Sequence, residues 1–253
     1  MTWVESQSLS FTARHEDTQA EEAAGVLDAL ESFRERLEGV FDRTPYEVAV
    51  VLHPRPLMLA LAQPWLQLAS LIAAPASRRY FAGWFSSTEI HVLAPPALER
   101  RASGVEGSRE ALLLTPQHGY AHVVLGANNP DLPPPFTVGS FRRYVRWAWL
   151  CEGAATWLSG QTPHLRAAIV RRLREGGRPA FPPAPRDAML LGGTVFTLLE
   201  REHGARAAAG LATSDLERGP RSVLVDAFGR QLAGVEADWR ELLASFRDPA
   251  SSR

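Results

Sequence analysis

From Arg146 to Gly160 the chain reads Arg-Trp-Ala-Trp-Leu-Cys-Glu-Gly-Ala-Ala-Thr-Trp-Leu-Ser-Gly, a helical run whose interior charge, Glu152, sits among apolar neighbours. A carboxylate taken out of water costs several kcal/mol unless it is paired or bound to a metal. Any fold that buries this helix must therefore bring Glu152 a partner. Upstream, Gln117–Leu125 reads Gln-His-Gly-Tyr-Ala-His-Val-Val-Leu, which places His118 and His122 four apart on a predicted helix with both rings on one face. That spacing suits a tetrahedral zinc ion, whose ligand nitrogens lie about 2.0–2.1 Å from the metal. Taken alone it is equally the pattern of two core histidines, and the Glu152 run is what points to a metal. Cys151 is the only cysteine, so an intrachain disulfide and a thiolate-rich site are both excluded, and a metal must rely on histidine and carboxylate.

Around these two runs the pattern predicts an α+β chain. Ser8–Ala13 reads as a strand, Asp17–Asp42 as an amphipathic helix, and Tyr46–His53 as a buried strand bounded by Pro54. Leu57–Ala74 is apolar but interrupted by Gln63, Pro64, Gln67 and Ser70, which predicts a buried or groove-lining helix rather than a membrane span. Trp84–Leu93 reads as one further strand, a candidate edge on which Ser87, Glu89 and His91 could align a peptide by strand addition. From Ser108 onward the pattern is helical, with Asn128-Asn129-Pro130 as a stop, helices over 141–160, 163–175, 187–203 and 221–246, and a Gly/Pro linker over 176–185. The expected organisation is an α+β lobe over 1–130, with a small mixed sheet and the metal-binding helix. A helical lobe over 131–247 supplies the third ligand, and a disordered tail occupies 248–253.

The Glu152 segment resembles the Trp-Leu-x-Glu-Gly-x-Ala signature of the gluzincins in the peptidase MA-like superfamily, where the glutamate is the third zinc ligand. His118 and His122 are similar to the two histidines of that group's His-Glu-x-x-His motif. The order strand, helix, strand, edge strand and metal helix, and the run Gly192–Gly204, extend the resemblance from about Ser8 to Leu243. It implies a metallopeptidase-like fold and about one zinc per chain on His118, His122 and Glu152. Thr156, four residues beyond Glu152, is placed either to orient it or simply to pack.

Two departures stand against peptide hydrolysis. The glutamate that the resemblance implies as general base and acid is here Gly119, and the tyrosine that helps hold the oxyanion in many relatives aligns with Met189. A glycine in this helix is expected to leave a cavity beside the metal. The expectation is a zinc-binding protein with lost or strongly reduced hydrolysis, using the cleft for structure or for a peptide or small-molecule ligand. The alternatives are a hydrolase with another base, or one whose substrate assists, and a metal-free scaffold. With 27 basic and 28 acidic residues there is no global field to attract nucleic acid or a membrane surface. The start, Met-Thr-Trp-Val-Glu-Ser-Gln, lacks the pattern of a signal peptide, so the cytoplasm is the expected location.

Overall fold

The computed structural model describes residues 2–247; the tail expected at 248–253 lies outside them. The architecture is α+β. Strands β1 (Trp3–Gln7) and β2 (Phe11–Glu16) are followed by helix α1 (Ala20–Glu38), β3 (Val48–His53), α2 (Pro56–Ala62) and α3 (Pro64–Ile72). Next come β4 (Gly83–Phe85), β5 (Glu89–Leu93), α4 (Pro95–Arg101), α5 (Ser108–Leu113) and α6 (Thr115–Asn128). The remainder is helical: α7 (Val138–Arg146), α8 (Ala148–Leu158), α9 (Arg166–Arg174), α10 (Ala188–His203), α11 (Ala205–Ala212), α12 (Pro220–Phe228) and α13 (Leu232–Ser245).

The five strands form one mixed sheet in the order β1-β2-β3-β5-β4, parallel in its centre and antiparallel at both margins. The β-branched run of β3 occupies the middle, as a strand flanked on both sides requires. Alternation then sorts the residues. Val50 and Ile90, paired across β3 and β5, face the helices, while Val51 and His91, also paired, face away.

Several expectations change here. The strand expected at 8–13 begins only at Phe11, because Ser8–Ser10 form a turn held by Glu31, whose Oε1 accepts from Ser8 Oγ at 2.7 Å and from Ser10 N at 2.6 Å. That turn pairs β2 with β1, which has no apolar alternation to reveal it. The run 84–93 is a hairpin: β4 and β5 pair antiparallel around Ser86–Thr88, so β4 is the margin and β5 is interior. The apolar run 57–74 is not one buried helix. Pro64 cannot donate into a continuing helix, and α2 and α3 bury Leu59 and Leu66 while leaving Leu57, Leu61, Leu71 and Ile72 exposed. The helix expected over 141–160 breaks at Trp147, the one over 221–246 breaks at Gly229 in the left-handed region, and α11 is an additional element.

The apolar core is contiguous and takes residues from both lobes, from Phe11 and Leu52 to Phe196 and Trp239. Helices α8 and α10 cross backbone to backbone, since a Cβ at Gly153 would lie 2.5 Å from the Gly192 carbonyl carbon. Arg172, on α9, is buried against Asp187 in a bidentate pair at 2.5 and 2.9 Å and also donates to the Gly176 carbonyl, clamping the 176–185 linker to the start of α10. Arg172→Met should strand a desolvated carboxylate and lower stability by about 3–5 kcal/mol. Urea unfolding measures this, and a loss under about 1 kcal/mol would show that water replaces the guanidinium.

Candidate metal centre

Helix α6 is buried around most of its circumference because it lies between the sheet and the helical half. Tyr120 anchors it: its hydroxyl donates to the Pro45 carbonyl at 2.7 Å, and its ring meets Phe11 and Phe33 edge-on. With α6 fixed, His118 and His122 point toward α8, where Glu152 is held in place by the neighbouring Gly153–Gly192 contact.

The three side chains converge. His118 Nε2 and His122 Nε2 are 3.1 Å apart, and they lie 3.4 and 3.6 Å from Glu152 Oε2 and Oε1 respectively. A tetrahedral shell with ligands about 2.0–2.1 Å from zinc separates its donors by about 3.3 Å, so the spacing fits a zinc ion. The chemistry fits too. Burial drives His122 toward the neutral imidazole. Burial also pushes the Glu152 carboxyl up, but the imidazoles of His122 and His118 outweigh it and hold it well below the usual carboxylate range. Neutral imidazole and ionised carboxylate are the forms that offer lone pairs to a cation.

Two residues that no sequence pattern singled out complete the centre. Tyr144, on α7, donates its hydroxyl to Glu152 Oε1 in a short hydrogen bond. Phe85, on the marginal strand β4, stacks flat on His122 with ring centroids 3.9 Å apart. Phe136 touches both Phe85 and Tyr144, and Trp84 adds a further ring to this aromatic wall. A tyrosine eight residues before Glu152 signals nothing until the helix breaks at Trp147, between α7 and α8.

Gly119 does not leave a cavity. A Cβ there would lie 2.8 Å from Cγ2 of Ile90, a buried β5 side chain branched at Cβ and unable to swing aside. Thr156 does not orient Glu152; its hydroxyl faces the Sδ of buried Met189 at 4.0 Å, so these two pack on each other. Ser87 lies in the β4–β5 turn, and Glu89 and His91 sit on interior β5, facing away from α6. There they join a different chain of contacts, Glu89 Oε2 to His91 Nε2 at 3.1 Å and His91 Nδ1 to His53 Nε2 at 3.0 Å. Since β4 forms the margin, strand addition would take place there and not on Glu89 and His91.

Compared with protein-family models, curated proteins and solved structures, the chain matches none. The site is therefore judged on its geometry.

Gly119→Ala should gain helix propensity of about 1 kcal/mol and still lower stability by about 1–2 kcal/mol through the clash with Ile90. Ile90→Ala alone should cost about 2–4 kcal/mol. The double variant should recover at least about 1 kcal/mol of the summed loss. Additive losses in denaturant unfolding would show that Ile90 does not limit position 119.

Proposed function

We propose that the chain is a cytoplasmic zinc-binding protein of metallopeptidase-like build, in which the metal site serves structure or holds a peptide or small ligand, with peptide hydrolysis lost or strongly reduced. One observation carries this: a donor set with zinc spacing stands beside a base position that Ile90 fills. His118, His122 and Glu152 would hold the ion, which when bound supplies a Lewis acid for a carbonyl oxygen and acidifies a bound water.

The chain's own residues supply the rest. Tyr144 fixes Glu152 through its hydroxyl, and Phe85 fixes the plane of the His122 ring. Neither is a base. The Tyr144 phenol is driven well above its usual range by burial and then by the adjacent carboxylate, so it keeps its proton and shares it with Glu152 only as a hydrogen bond. General acid–base catalysis is worth about 10²–10⁴-fold, and Gly119 contributes none of it. Access is also narrow, the His118 and Glu152 side chains being only 11% and 10% exposed. The aromatic wall of Trp84, Phe85 and Phe136 would receive an apolar ligand group.

The metal-free scaffold has one observation in its favour. His118 Nδ1 is buried without a partner among the described residues, whereas zinc-binding histidines usually donate their second N–H.

Protein purified without chelator should carry about one zinc per chain, and His118→Ala should carry less than about a tenth of that. Elemental analysis decides; a zinc-free parent whose melting is indifferent to added zinc would leave the scaffold. In a competitive chelator titration, Tyr144→Phe should weaken zinc affinity by about 10–100-fold. Unchanged affinity would mean that the Tyr144 bond does not tune the ligand.

A further inference from the structure

The α2–α3 unit has a surface that the metal centre does not use. From Pro56 to Ser77 the sequence carries no charge at all, yet Leu57, Leu61, Leu71 and Ile72 stand 67–75% exposed. Scattered exposed leucines need no explanation, but four apolar side chains on two consecutive short helices concentrate exposed apolar surface in one uncharged segment. Both ends of the unit are tied to the end of α4. Arg100 donates to the Pro54 carbonyl at 3.4 Å, and Arg101 donates to the Arg78 carbonyl at 3.0 Å. Arg78 in turn reaches back to the carbonyls of Ala73 and Leu71 at 3.4 and 3.5 Å, beside the exposed Leu71.

These contacts, with Arg79 and Arg101 bonded to each other's carbonyls, collect Arg78, Arg79, Arg100 and Arg101 beside the uncharged segment. None of the four forms an ion pair with a carboxylate among the described residues. Glu99, the acid next to Arg100, is engaged by Arg109. The positive charges are thus met only by backbone carbonyls. The Arg101 guanidinium accordingly loses affinity for its proton, first through burial and then through the like charge of Arg79.

An exposed apolar segment flanked by arginine is the chemistry of a peripheral membrane element, which places leucines at the head-group boundary and its cations on lipid phosphates. We propose that α2–α3 docks the protein on an anionic phospholipid surface. Length agrees: helices of 7 and 9 residues span only about 10–14 Å at 1.5 Å per residue, suited to the interface and not to crossing. Among the described residues no helix is long and apolar enough to cross a membrane. Charge selects lipid over a second copy of the chain, because a two-fold contact through this face would set the same four arginines against each other. The near-zero net charge of the whole chain hides this local excess.

Co-sedimentation with phosphatidylcholine vesicles and with mixed phosphatidylcholine–phosphatidylglycerol vesicles tests the proposal, with near-ultraviolet dichroism of each variant as the folding control. The protein should sediment with the mixed vesicles, less with phosphatidylcholine alone, and less as salt rises. Leu61→Ser with Leu71→Ser should lower partitioning on the order of tenfold, and Arg78→Gln and Arg100→Gln about fivefold each on mixed vesicles only. These four side chains lie outside the metal centre, so zinc content should not change. Failure to bind mixed vesicles, or binding indifferent to the leucine changes in folded protein, overturns the proposal. So does a dimer in gel filtration that the leucine changes disperse, since the face then belongs to a second copy.

Discussion

A single desolvated carboxylate organises the molecule. Glu152 lies between the fully buried Trp149 and Ala154 on a helix packed on all sides, and the groups that make its charge tolerable come from two other helices: His118 and His122 from α6, Tyr144 from α7. The sheet matters to the centre because it places α6, through Tyr120 against Phe11 and through Ile90 against Gly119. The helical half matters because Gly153 and Gly192 let α8 and α10 touch backbone to backbone, which leaves Glu152 almost no freedom to move along or away from its partners. The Glu152 charge is thus shared between residues before and after position 130, and the apolar core runs on between them.

Much of this is legible in the sequence. The apolar run around Glu152 demands a partner, the four-residue spacing supplies two rings on one face, and the helical and strand periods put both runs in an α+β chain. What was not legible depends on contacts between residues distant in sequence. Strand β1 is drawn into the sheet by a turn pinned from α1 by Glu31, and its own polar residues carry no alternation. The β4–β5 hairpin turns at Ser-Ser-Thr, without glycine or proline to mark it. Tyr144 falls by pattern in the single helix expected over 141–160 and becomes a partner of Glu152 only where that helix breaks at Trp147. Gly119 shows the limit most clearly. Sequence reveals that position 119 has no side chain, but only the sheet register and the orientation of α6 reveal that Ile90 occupies the space beside it.

The sheet has two unlike faces. Toward α6 it presents Val50, Ile90 and their neighbours, whose role is volume. Away from α6 it presents a line of polar contacts in which Arg14 bridges Glu5 and Glu89, and Glu89 leads through His91 to His53. Burial, and then the neighbouring His91, hold His53 down to about 4, so the His53 ring stays neutral near neutral pH. One strand, β5, therefore serves both the packing beneath the metal helix and the charge ladder on the opposite surface, and it can be displaced toward neither.

The contact between Ile90 and Gly119 also limits what position 119 can become. Because Ile90 is part of the core, the glycine opposite it is not a free position. Placing a larger side chain there by one substitution meets steric overlap, and trimming Ile90 first opens a void in the sheet. Both single steps pass through a less stable protein, so the two positions are locked to each other and can change only as a pair.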